Sequence, residues 1–209
     1  IALVREALER AGVPVEVASL GGLLDVPEVA DLHAWLRLLA RPDDDAALMR
    51  VLLGASYHLG LGDLAPLAAP ALGRSRGAPE DGDEDHRGLL EAIDRLEDCS
   101  GPSPEALRRL TAFRTTYRRL LEAAQGLSLV DLCRRVLDET AAWPEIEALG
   151  DAARLSARLN LYGFLDLAEQ WSPLEGPASL DAFLDYLDLR DEDEAAQELD
   201  TAQLSGEDA

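Results

Sequence analysis

The chain has 209 residues, long enough to bury a core, and 47% of them are hydrophobic with few aromatics. A formal net charge of -22 argues against a dedicated nucleic-acid-binding protein, whose footprint is usually basic. Two cysteines without metal spacing, and no apolar run of the roughly 18 residues a membrane span needs, point to a cytoplasmic setting and away from a membrane.

Leu and Ala dominate, and with Arg and Glu they are strong helix formers, so the expected fold class is all-α, an irregular multi-helix bundle. Leu3, Val4, Ala7, Leu8 and Ala11 recur at helical spacing and stop at Gly12, which predicts a helix over 1–12. Pro14–Ala18 alternates Val15 and Val17 with other residues and reads as one short strand. A lone strand leaves its backbone unpaired, so it calls for a sheet supplied from outside this sequence. The chain also starts at Ile1 without Met, inside a helical pattern, and the expectation is a piece of something longer.

Pro27 opens a strong helix whose apolar stripe is Val29, Leu32, Trp35, Leu36 and Leu39; proline suits the first turn, where its missing N–H has no partner to lose. Pro42 ends it. Asp43–Asp45 then cap a second helix to about Leu53, which is a better account of three carboxylates at a helix start than a metal site. The stretch YHLGLGDL (Tyr57–Leu64) follows, with a proline-interrupted helix expected from about Asp63. Residues 73–86 read as a polar, mobile loop. Further helices are expected at about 86–98, 103–125, 128–140, 151–171 and 178–190, with Ser103 and Ser128 as N-caps. The acidic stretch 191–209 reads as a disordered tail.

Chemistry-bearing patterns are scarce. His33, His58 and His86 have no ligand-spaced partner, and no metal site is expected. Neither a GxSxG nor an S-x-x-K nucleophile pattern is present, and there is no GxxxxGK[ST] phosphate loop, so no catalytic centre is expected here. Arg108, Arg114, Arg118 and Arg119 crowd the helix over 103–125. They read either as a solvated face pairing with the surplus carboxylates or as a local phosphate-tracking patch. In YHLGLGDL the glycines supply positive φ and room for a close backbone approach, and the helix that follows aims free N–H groups at the turn. That turn is either plain punctuation or a backbone cradle for a phosphate.

The residues from Pro14 to Leu64 resemble the 2B subdomain of UvrD/Rep/PcrA-type superfamily 1 DNA helicases. The family's pattern of a P-Y-x-I-x-G-G strand is matched at Pro14–Leu20. Its E-[IV]-x-D-x-x-x-[YW]-L-R helix is matched from Glu28 and Asp31 to Arg37, and its D-D-x-x-x-x-R-[IV] run from Asp44 and Asp45 to Arg50. Its P-x-R-G-I-G motif falls on the glycine turn, where an ungapped register from Arg50 puts R-G-I-G on Tyr57–Gly60. Further on, Arg158, Asn160 and Leu161 are in step with an R-x-E-N-L helix, with Leu159 in place of its Glu, and SLDAFLDYLDL is similar to the family's L-x-x-F-L-x-x-L-A-L helix.

The resemblance implies that residues 1–20 belong with the neighbouring 2A subdomain, whose sheet would pair the short strand, and that residues 21–190 form the helical 2B-like part. It implies a non-catalytic accessory role that modulates unwinding, with duplex DNA and the remaining helicase domains as partners. ATP and Mg are implied for the parent helicase and no cofactor for this chain. The DNA-facing set it implies is Tyr57, His58, Gly60 and Gly62; Glu28, Asp31, Arg37, Asp44 and Arg50 are expected to form a structural network between the first two helices. The departures are compatible with the RecB-like or actinobacterial helicase–nuclease branch. On this resemblance, a Walker A motif is expected in the reading frame upstream and a GLE-type motif immediately downstream. The competing reading is an acidic helical interaction module that binds a protein partner and no DNA, which the charge favours.

Overall fold

A computed structural model describes residues 20–67, 89–98, 101–173, 176 and 178–191. The expected helix over 1–12, the strand at Pro14–Ala18, the loop 73–86 and all but the first residue of the tail 191–209 lie outside the described residues. Among those described the fold is all-α, with no strand. The helices are α1 (Leu20–Asp25), α2 (Pro27–Ala40), α3 (Asp45–Leu53), α4 (61–67), α5 (Leu89–Asp94), α6 (Pro104–Ala124), α7 (Leu129–Glu139), α8 (Ala142–Glu147), α9 (Asp151–Gln170) and α10 (180–191). A single 3₁₀ turn at Leu96–Asp98 follows α5.

The chain divides into two compact units, with the division inside α2. A central unit spans Asp31–Glu147, and a terminal unit takes the described parts of Ile1–Ala30 and Ala148–Ala209.

The central unit is organised by α6. Its buried residues Ala106, Leu110, Phe113, Tyr117 and Leu120 step by three and four, which puts them on one stripe of the helix. That helix packs on α5 and α7, and α7 packs on α8. Trp35 of α2 and Tyr57 join Phe113 and Tyr117 in one aromatic cluster, with centroids 5.6 Å apart for both Trp35–Phe113 and Tyr57–Phe113. These separations are in the range where aromatic pairs attract beyond the area they bury. Phe113 itself is wholly excluded from water, and a side chain of that size contributes roughly 2–3 kcal/mol by burial alone.

Helix starts in this unit follow local chemistry. Asp44 is the N-cap of α3, its carboxylate accepting from the Ala47 N–H at 2.9 Å. Ser103 caps α6 by accepting from the Ala106 N–H at 3.1 Å, with Pro104 next in line. Ser128 caps α7, accepting from the Asp131 N–H. All three are side-chain oxygens satisfying N–H groups that have no intrahelical partner.

The terminal unit closes on a second aromatic cluster. Phe183 of α10 is fully buried and lies 5.9 Å from Phe164 of α9 and 5.3 Å from Trp171. Leu161, Leu184 and Leu187 are equally excluded from water. Near the start of α2, the Glu28 carboxylate accepts from the Asn160 side-chain amide of α9 at 2.8 Å.

Two elements are additions to the expectation from sequence. The glycine-rich LGGLLD forms α1, for which no separate helix was expected, and AWPEIE forms α8 in spite of Pro144. Pro144 is tolerated because it falls in the first turn, where no N–H bond is lost. Helix α4 starts at Leu61, two residues before the expected Asp63, so Gly62 is part of its first turn.

Candidate functional site: the tip between α3 and α4

Residues 54–62 leave α3, reverse, and enter α4. The reversal is built from short-range bonds. The His58 N–H donates to the Gly54 carbonyl at 2.9 Å and the Leu59 N–H to the Leu52 carbonyl at 3.1 Å. The left-handed residue is His58, with φ 47°, rather than any of the glycines expected to supply it. Gly54 is extended, and neither Gly60 nor Gly62 takes a positive φ. A left-handed L residue costs about 1 kcal/mol, so other contacts must hold His58 in place.

Those contacts come from α6. Arg109 donates through Nη1 to the carbonyls of His58 (2.6 Å) and Tyr57 (3.2 Å), while its Nε is anchored on Glu105 Oε1 at 2.8 Å. The Arg109 and Arg108 guanidiniums hold the Glu105 carboxyl below its ordinary value. Arg109 was not singled out from the sequence, because its partners lie more than fifty positions away and a carbonyl clamp leaves no local pattern.

On the far side of the tip, α4 opens with a reciprocal cap. The Gly60 N–H donates to Asp63 Oδ2 at 3.1 Å, and Asp63 Oδ1 accepts from the Ser103 hydroxyl at 3.3 Å. The Gly60 amide is thus satisfied by the chain's own carboxylate. The signal was legible in G-L-G-D, where a carboxylate at the third helical position reaches back to the cap N–H.

The four residues expected to face DNA therefore separate. Tyr57 is a core residue, 7% exposed, with its ring against Trp35 and Phe113 and its hydroxyl on Thr116. Burial, and secondarily Glu139, pushes its phenol above the ordinary 10.0. His58, Gly60 and Gly62 stay at the exposed tip with Leu61, which is 66% exposed. A side-chain carbon added at Gly62 would meet nothing within 4 Å, so the fold does not demand glycine there.

The arginines of α6 do not make one patch. Arg108 pairs with Glu105, and Arg118 with Asp94 at 2.9 Å. Arg114 donates to the Asp94 carbonyl at 3.0 Å and to Glu97 at 3.3 Å. Arg119 turns to Glu139 of α7 at 3.5 Å. Each of these four charges has a carboxylate partner, and together they make a face of ion pairs. Such pairs typically add no more than about 1 kcal/mol each.

The residues expected to link the first two helices fall into three separate ties. Arg50 of α3 meets Asp31 of α2 at 2.8 Å, in the open, with both side chains about half exposed. Arg37 meets Asp44 at 2.7 Å, where the carboxylate is 10% exposed. Burial pushes Asp44 up, but the Ala47 N–H and Arg37 outweigh it and hold the carboxyl below its usual value. Glu28 takes no part in either tie and binds Asn160 instead. Glu145 of α8 is the opposite case: burial, then Asp31, raises its carboxyl above the ordinary value against the pull of His58 and Ser56.

Among the described residues no group of His, Cys, Asp and Glu is arranged to hold a metal ion. No described helix is long and apolar enough to cross a membrane.

In sequence, the chain is similar to segments of ATP-dependent DNA helicases. The chain is 25% identical over 187 residues to the ATP-dependent DNA helicase PcrA of Bacillus subtilis, a match covering 90% of this chain and 24% of that protein. It is 26% identical over 200 residues to the ATP-dependent DNA helicase Rep of Escherichia coli, covering 92% of this chain and 28% of that protein. The ATP-dependent DNA helicase UvrD1 of Mycobacterium bovis matches at 25% over 170 residues, 80% of this chain and 20% of that protein. No protein-family model matches the chain. Its homologues are thus ATP-dependent DNA helicases of the UvrD/Rep/PcrA family, and it spans about a quarter of the length of the relatives it matches.

Proposed function

We propose that this chain is a non-catalytic accessory subdomain of an ATP-dependent DNA helicase, of 2B type, that modulates unwinding. The observation carrying this reading is the shape of the matches: nine-tenths of this chain against a quarter of PcrA or Rep, in helicases of two different bacteria. ATP and Mg belong, on this reading, to motor domains outside the chain, and those domains are its protein partners.

The duplex-contacting element in this reading is the tip, through His58, Leu61 and Gly62. Gly62 supports it, because a glycine the fold does not require leaves room for a backbone to approach closely. Contact of this kind is shallow and independent of base sequence, as phosphate-backbone contacts are.

A second reading, an acidic helical module that acts on protein alone, is favoured by one observation. Asp63 puts a carboxylate on the Gly60 amide at the very place a phosphate would approach.

Fluorescence anisotropy of a labelled DNA duplex at low salt separates the two. The variant is Gly62→Asp, which adds a charge at the tip without a steric clash. The accessory-subdomain reading with tip contact expects weak, salt-sensitive binding by the parent sequence and a loss of about tenfold in the variant, since each phosphate contact contributes to a steep electrostatic term. Binding by neither protein selects the protein-only module.

A further inference from the structure

We propose that Arg109 is the positioning residue of the tip: it fixes the backbone of Tyr57 and His58 and thereby the presentation of residues 58–62. The claim rests on geometry within the central unit. Its consequence for DNA rests on the reading given under Proposed function.

The tip carries a left-handed non-glycine residue, His58. One guanidinium nitrogen bonds the carbonyl of that residue and the carbonyl before it. The same guanidinium is aimed by Glu105, one turn earlier on α6, through the bond to Nε. A planar fork suits this task, because one edge meets a carboxylate while another nitrogen reaches two carbonyls, which a compact ammonium does not reproduce.

The first turn of α6 also holds the other end of the tip. Ser103 caps α6 with its oxygen and donates its hydroxyl to Asp63, the residue that binds the Gly60 amide. Entry and exit of the tip are therefore both tied to Ser103–Arg109. Arg108, one position away and paired with the same Glu105, reaches neither carbonyl and is the natural control.

Amide hydrogen exchange of the 209-residue chain tests the claim at His58, Leu59 and Gly60, with Phe113 of α6 as internal reference. Arg109→Ala is expected to speed exchange at the three tip amides about tenfold, the change that about 1.4 kcal/mol of local opening energy gives. Phe113 is expected to keep its protection, and Arg108→Ala to leave the tip amides as they were. If Arg109→Ala loosens all of α6, Arg109→Lys decides, because it keeps the stem and one donor: faster exchange confined to residues 58–60 supports the claim. Unchanged tip exchange in Arg109→Lys and Arg109→Ala, or equal effects from Arg108→Ala, overturns it. Duplex anisotropy on the same proteins keeps the two readings apart. A loosened tip with unchanged duplex affinity leaves the positioning role standing and removes DNA contact from the tip.

Discussion

The central and terminal units each close on a cluster of aromatic rings, yet the two clusters do different things. In the terminal unit, Phe183 sits between Phe164 and Trp171 and is wholly buried. In the central unit, Tyr57 is at once a member of the cluster and a residue of the surface tip, and its carbonyl is held by Arg109. The first cluster only packs. The second carries packing to a surface feature, so a core change there is also a change in what the surface presents.

The largest expected effects come from breaking each cluster. Phe113→Ala and Phe183→Ala each remove a fully buried ring and are expected to cost about 3–5 kcal/mol by denaturant unfolding. The two are distinguished by the tip: Phe113→Ala removes the edge-on partner of Tyr57 and is expected to speed exchange at His58 and Leu59. Equal tip protection in Phe113→Ala and the parent would dissolve the proposed link between core and tip.

A second comparison, between the two ion pairs of α2 and α3, predicts a smaller difference. Asp44→Ala loses a cap and a part-buried partner of Arg37, for about 2 kcal/mol. Asp31→Ala loses an exposed pair and is expected to cost less than about 1 kcal/mol. The pH dependence follows from the same bond. Asp44 has its folded value below the ordinary 3.8, so its contribution is present above that value and is lost as pH falls through the folded one. Acid titration of the stability difference between the parent and Asp44→Asn should show that difference shrinking below about pH 4, the unfolded-state value for an aspartate. A difference that grows as pH falls would reverse the assignment.

Smaller still are the glycine effects. Gly62→Ala is expected to be neutral or to stabilise by about 0.5 kcal/mol, as the backbone there suits any residue. Gly101→Ala is expected to destabilise by about 1 kcal/mol or more, since φ is 132° and the added carbon would fall 2.8 Å from Pro66. Cys133 contributes a chemical check on the core: burial pushes its thiol up to about 12, so it should stay unlabelled by a thiol reagent at pH 8 while the chain is folded. Rapid labelling located at Cys133 by mass spectrometry would mean that α7 opens readily.

Much of the helical frame was legible in the sequence. Pro27 and the stripe through Trp35 defined α2, and Asp44, Ser103 and Ser128 announced three helix starts, because capping is local chemistry written within four residues. The all-α class followed from composition, and the helicase resemblance from ordered motifs in the first third of the chain. What escaped was non-local or contrary to propensity. Two glycines hid α1, and a proline hid α8. The tip was found by its glycines, but the residue that takes the left-handed turn is His58, and the clamp that stabilises it reaches across from Arg109. The ion pairs of α6 were hidden for a related reason: helix spacing places Arg114, Arg118 and Arg119, but it says nothing of the carboxylates on α5 and α7 that meet them.

The central claim, a 2B-type accessory role, is tested most directly by ATP-dependent unwinding of a forked duplex by the longer helicase polypeptide that the proposal implies for this chain. The comparison is with the same polypeptide in which Asp31–Glu147 is replaced by a short Gly/Ser linker. The account predicts that ATP hydrolysis stimulated by single-stranded DNA survives the replacement while the unwinding rate changes. Loss of ATP hydrolysis in a folded protein, or an unwinding rate identical to the parent's, would contradict it.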